Sequence, residues 1–169
     1  NPYHKLVDML NYAKEKYCVF CGDDDFLTSN GIKQSIAFLE KNPDFTVAHG
    51  YYLSFLLKAK KEVEKRFCWE TCSSKESIIF LESEKRLFKH LSEYSLQTYY
   101  GVHRTDFLKM IYKELLDSGI DVVLFGELLL GELTLIYGQM KYLNVMYMAR
   151  QMGPRSDYRP TPIDYMRKG

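Results

Sequence analysis

Two periods of apolar spacing alternate along this chain. Leu6, Met9, Leu10 and Ala13 recur at helical spacing and predict an amphipathic helix over 3–16. Tyr17 to Cys21 then reads as a short strand. Thr28, Ser29 and Asn30 each offer an N-cap for a second helix over 30–41, with Ile32, Ile36 and Leu39 on its inner face. Asn42-Pro43-Asp44 stops that helix. Phe45 to Leu57 is β-branched and aromatic and predicts a long strand, with Gly50 as a bend or bulge.

The second half repeats the alternation. Residues 82–93 read as a helix and Gln97 to His103 as a strand. Thr105 is placed to cap a helix carrying Leu108, Ile111, Tyr112 and Leu115, which Asp117-Ser118-Gly119 ends. A strongly apolar helix runs from Phe125 to Tyr137 and stops at Gly138, and Lys141 to Met148 predicts a last strand. Helix, strand, acidic loop, helix, strand is the grammar of a parallel α/β sheet. Residues 151–169 are polar and rich in Pro, Arg and Tyr, which predicts a flexible tail after a domain spanning 1–150.

Composition narrows the classes. Lys plus Arg number 23 against 22 Asp plus Glu, so no excess of positive charge points to a polyanion, and no nucleic-acid partner is expected. No apolar run is long enough to predict a transmembrane segment. The basic stretch Lys58, Lys60, Lys61, Lys65 and Arg66 reads as a solvated loop or hairpin arm. Cys18, Cys21, Cys68 and Cys72 raise a zinc site or a redox pair. Residues three apart on a strand point to opposite faces, however, and the gap to Cys68 is far longer than in common zinc ribbons, so buried strand cysteines in a reducing compartment are the better reading.

The chemistry-bearing stretch is Tyr17-Cys18-Val19-Phe20-Cys21-Gly22-Asp23-Asp24-Asp25-Phe26-Leu27. Three adjacent carboxylates repel one another and need solvent or a cation. Mg²⁺ or Mn²⁺ prefers such hard oxygen ligands, and the loop at the end of a strand is where open α/β sheets bind ligands. The alternative is a solvent-exposed entry loop to the next helix.

This stretch resembles the aspartate motif of GT-A fold glycosyltransferases, in particular the family-2-like inverting enzymes. The similarity continues through Gly31-Ile32, Asn42-Pro43-Asp44 and Val47-Ala48-His49-Gly50, then Phe125-Gly126-Glu127-Leu128, then Tyr147-Met148-Ala149-Arg150-Gln151. It covers most of residues 15–151. Two departures stand out. Leu128 occupies the place of the family's second acid, and the family's N-terminal βαβ nucleotide-binding half has little counterpart ahead of Asp23. The resemblance implies a GT-A, Rossmann-like, mostly parallel sheet flanked by helices, present here as a partial domain that holds the metal- and acceptor-binding portion. It implies a metal-assisted, inverting transfer of a sugar from a nucleotide-sugar donor to the hydroxyl of a glycan or other acceptor. The cofactor would be Mn²⁺ or Mg²⁺. Enzymes of this kind build bacterial surface glycans in the cytoplasm or at the inner face of the membrane.

The residues implied are specific. Asp25 is the leading metal ligand, with Asp23 on the metal, a metal-bound water or the ribose, and Asp24 supporting the loop. Glu127 is the expected catalytic base, against the alternative that an acid in a first helical turn is merely favourable through the helix dipole. Glu132 is the runner-up for the base; five residues on, it faces a different side of the helix and should not share a site with Glu127. Arg150 is expected to grip the diphosphate, whereas Arg155 and Arg159 read as polar tail. His103 and Arg104 line the acceptor pocket or lie on the surface, and Trp69 stacks on a sugar or packs in the core. Two other classes stay open, a metal-dependent phosphoryl or nucleotidyl transferase and a non-catalytic α/β binding domain.

Overall fold

A computed structural model of the chain describes residues 2–58, 66–72, 76–92 and 98–151. In chain order these are α1 (Pro2–Tyr12), β1 (Tyr17–Cys18), β2 (Phe26–Leu27), α2 (Ser29–Lys41), β3 (Phe45–Lys58), β4 (Arg66–Cys72), α3 (Ser83–Ser92), β5 (Val102–Arg104), α4 (Thr105–Asp117), α5 (Val123–Tyr137) and β6 (Gln139–Gln151). The strands form one mixed sheet ordered β1-β5-β3-β6-β2, with β4 paired to β3.

The sheet is α/β but not mostly parallel, which corrects the sequence expectation. Among the described strands only β3 and β6 pair parallel. The β1–β5, β2–β6, β3–β4 and β3–β5 pairs are all antiparallel. A parallel pair needs a crossover connection that returns the chain to the same end, and β3 to β6 has one through α4 and α5. The short link from β3 to β4 allows only an antiparallel return. β1, β2 and β5 are two or three residues long, too short for side-chain alternation to announce their direction.

Alternation along β3 sets the layers. Val47 and Ala48 point to opposite faces. Ala48 packs with Leu39 of α2, Tyr52, Val102, Tyr147 and Met148. Val47 packs with Leu135 of α5, Ile78 and Met140. A third cluster joins Tyr3 and Leu10 of α1 to Leu108, Ile111, Tyr112 and Leu115 of α4 and Leu130 and Leu133 of α5. Each such large apolar side chain contributes about 1.5–3 kcal/mol on burial, so the α1–α4–α5 packing is what fixes α5 over the sheet. The expected bulge occurs at Gly50, where the β3–β6 register shifts between His49 and Tyr51. A Cβ on Gly50 would lie 2.1 Å from the Val145 carbonyl oxygen, so no larger residue fits there without a backbone shift.

Caps explain the helix bounds. Thr28 is the N-cap of α2, its hydroxyl accepting from Gly31 N–H at 3.1 Å and donating to the Met146 carbonyl. Thr105 does not cap α4. It is the first helical residue and buried, and Arg104 holds the cap position without a side-chain bond. The C-terminus of α5 has no basic residue in its last turn. Buried Arg86 of α3 serves it instead, donating to the carbonyls of Leu135 and Ile136 at 2.6 and 2.9 Å and to those of Phe80 and Leu81. The helix-end carbonyls are thereby satisfied by a cation, the charge that the helix dipole favours at that end.

Two other expectations change. The helix predicted over 3–16 ends at Tyr12, and Gln151 belongs to β6 rather than to a tail. Arg155 and Arg159 lie outside the described residues, as do the side chains of Trp69, Cys68 and Cys72 in β4. Cys18 is half-buried, and Cys21 is exposed rather than strand-buried. Among the described residues no helix is long and apolar enough to cross a membrane.

Candidate functional site

The strand expected over 17–21 shrinks to Tyr17–Cys18. From there the chain passes from β1, at one edge of the sheet, to β2 at the other. Residues 19–25 make this passage and carry the acids. Val19 and Phe20 anchor it by packing against the two large clusters, one on each side. Because β2 pairs Phe26 with Ala149 and Leu27 with Met148, the last acid is delivered beside the end of β6.

Asp25 is fixed there by backbone. Gln151 N–H donates to its Oδ1 at 3.0 Å, and its own N–H reaches the Gly22 carbonyl at 3.3 Å. Its Oδ2 occupies the space a side chain at position 22 would need, 2.9 Å from where a Cβ would sit. Gly22 is therefore part of the acid's cradle. Burial raises the Asp25 pKa above the ordinary carboxylate value, with Gln151 N–H and the Arg150 charge pulling the other way and Asp24 and Asp23 adding to the rise. Asp23 and Asp24 are exposed in the same loop.

Glu127 comes from the opposite side. α5 begins at Val123, with no acid in its first turn, so the helix-dipole explanation for Glu127 does not apply. The expectation that Gly126 lets the chain approach a ligand is also corrected. What approaches Gly126 is Tyr3 of α1, whose hydroxyl would be 2.1 Å from a Cβ there and donates to the Val123 carbonyl at 2.6 Å. Glu127 is half-buried, and burial raises its pKa while the Arg150 charge lowers it.

Arg150, at the end of β6, thus feels both carboxylates. Its guanidinium lies 4.7 Å from the ring centroid of Tyr100, and one of its N–H groups donates to the Tyr100 hydroxyl at 3.3 Å. The Tyr100 hydroxyl is pushed up by burial, drawn down by Arg150, and pushed up further by Asp25, Glu127 and Asp24. Arg150 and Tyr100 therefore lie within the electrostatic reach of both the acid loop and α5. Sequence reasoning missed Tyr100, which lay inside a predicted strand. The residue sits instead in the turn before β5, and only the return of β6 beside it reveals its place.

Other candidates separate from this site. Glu132 faces away, with its Oε1 2.7 Å from His90 Nδ1, as the helical spacing required. His103 neither lines a pocket nor lies on the surface. It is fully buried, and its Nε2 donates to the Thr98 carbonyl at 2.6 Å. Arg104 is structural, donating to the carbonyls of Leu39, Asn42 and Phe45 where α2 hands over to β3.

The donor set fits a hard divalent ion that keeps waters and ligand phosphates. Mg²⁺ is usually bound through one or two carboxylates, and Asp25 with exposed Asp23 can supply those. Among the described residues no group of three or more His, Cys, Asp and Glu converges to hold a metal by protein ligands alone.

No protein-family model matches the chain, and no curated protein matches it significantly, so the residues themselves carry the functional reading.

Proposed function

We propose that this chain is the metal- and acceptor-binding portion of a GT-A-like, inverting glycosyltransferase that uses a nucleotide-sugar donor. The observation that carries the reading is that the charge of one cation, Arg150 at the end of β6, lowers the pKa of carboxylates from two separate elements. Asp25 from the acid loop and Glu127 from α5 both lie within the field of Arg150. Acids from two elements in the field of one guanidinium suit a reaction that must hold an anionic leaving group and also remove a proton.

Asp25 and Asp23 would hold Mn²⁺ or Mg²⁺, with Asp24 supporting the loop. When bound there, the ion stabilises the charge that develops on the departing diphosphate. Arg150 adds charge-assisted hydrogen bonds to the same group. Glu127 takes the proton from the acceptor hydroxyl. Its half-buried setting raises its proton affinity, which moves a carboxylate toward the range in which a base works near neutral pH.

A thermal-shift screen on the full-length protein tests the reading, with ADP, CDP, GDP, UDP and dTDP, each with and without Mn²⁺. Ligand binding raises the melting temperature by mass action. One nucleotide is expected to shift it only when the metal is present. No shift with any of them contradicts the proposal. A requirement for the matching nucleotide sugar in turnover separates it from phosphoryl or nucleotidyl transfer.

A further inference from the structure

The turn that carries Tyr100 is held from below by buried side chains. Gly101 N–H closes it onto the Thr98 carbonyl at 3.4 Å. The same carbonyl accepts from buried His103. The hydroxyl of Tyr147, itself fully buried, donates to the Tyr100 carbonyl at 2.7 Å. Tyr99 meets the Tyr100 ring edge-on, with centroids 4.9 Å apart. Backbone and ring are thus set by the core before any partner arrives. Arg150 lies on the ring face so presented and gives one N–H to its hydroxyl.

We infer that Tyr100 is a positioning residue that aims Arg150 at the diphosphate of the donor, by carrying the guanidinium on its ring face and taking one of its N–H groups. An arginine left to itself samples many rotamers and loses that freedom on binding an anion. Stacked on a fixed ring, it has lost the freedom beforehand, so more of its attraction for phosphate appears as affinity. A neutral ring does this without adding a further anion to Asp25 and Glu127, whose charges already act on Arg150. This role rests on the transferase reading above.

The test is a double-mutant cycle on the full-length protein, reading the affinity of whichever of ADP, CDP, GDP, UDP or dTDP the wild type binds with Mn²⁺. Tyr100→Leu is expected to weaken binding about tenfold, within the range of a partly desolvated cation–π contact. Tyr100→Phe keeps the ring and is expected to weaken it about threefold. Arg150→Ala costs at least as much as Tyr100→Leu. In the Arg150→Ala background, Tyr100→Leu should cost less than about twofold more, because its effect passes through the missing guanidinium. In turnover the donor KM rises while kcat changes little.

Additive losses, or wild-type affinity in Tyr100→Leu, overturn this role and leave the transferase reading intact. A wild type that binds none of the nucleotides overturns both. If Tyr100→Leu does not fold, the cycle built on Tyr100→Phe decides, with its threefold loss expected to vanish in the Arg150→Ala background.

Discussion

Glu127, the proposed base, ties a test of stability to a test of chemistry. Its pKa is raised in the folded protein above an ordinary value of 4.5, first by burial. A carboxyl whose folded pKa is raised contributes stability that is present below its unfolded pKa and is lost as pH rises through the folded one. At neutral pH the ionised side chain therefore works against the fold. Glu127→Gln is expected to raise the melting temperature at pH 7, by the equivalent of under ~1 kcal/mol because solvent screens a half-exposed group. The same change should abolish sugar transfer while nucleotide binding persists. Thermal melts and turnover on one preparation check this, and a variant that is less stable yet fully active contradicts the role given to Glu127. The helix placing Glu127 was legible as an apolar run. That Tyr3, not a ligand, fills the space beside Gly126 was not, because α1 and α5 are far apart in sequence and no local pattern records their contact.

At the scale of elements, α5 depends on α3. Arg86 is buried and satisfies the carbonyls of Leu135 and Ile136. Arg86→Leu removes the donor and leaves helix-end carbonyls in an apolar setting. The expected loss is about 2–4 kcal/mol, since hydrogen bonds to a charged group are worth more than neutral ones and orphaned acceptors add a penalty. Urea unfolding measures it, and a loss below ~0.5 kcal/mol sinks the capping role. Most of the helices were readable from spacing and caps. α2 in particular is capped by Thr28, one of three candidates its sequence offered, and stops at Asn42. Of the short strands, β1 and β5 were legible but read too long, over 17–21 and 97–103, and β2 was not legible. β1, β2 and β5 owe their existence to partners that the fold supplies, and two or three residues cannot display a period. The acid loop was therefore read as the end of one strand, when it is a passage between opposite edges of the sheet.

Across the whole molecule, the buried histidines set the response to acid. His49 and His103 are fully buried, and burial lowers each pKa from an ordinary 6.5 to about 4. His49 donates to the Gly50 carbonyl beside the bulge, and His103 to the turn that carries Tyr100. Between pH 6.5 and about 4 the unfolded chain takes up protons that the folded chain excludes. The contribution of the two histidines is accordingly full above pH 6.5 and falls as pH drops toward 4, by up to about 1.4 kcal/mol per pH unit for each imidazole. Melting temperatures across that window check it, and His103→Gln should flatten the slope. A flat profile in the wild type contradicts the burial of uncharged imidazoles.

The molecule as a whole is built so that β6 ends where the acid loop arrives, with Gln151 N–H donating to Asp25. The motifs marked the acid loop, the start of the apolar helix and the end of the last strand as candidates. The mixed direction of the sheet did not follow from them, since it is decided by which strands find each other. The most direct measurement of the site is calorimetric binding of the matching nucleoside diphosphate to the full-length protein, with Mn²⁺ present and absent, for the wild type and for Asp25→Ala. Binding to the wild type should require the metal. Asp25→Ala should lose at least about tenfold in affinity, as expected for removing a ligand of the ion, while keeping the wild-type melting temperature to within a few degrees. Equal affinity in the two proteins, or binding indifferent to Mn²⁺, contradicts the assignment of Asp25 and of the metal-dependent transferase built on it.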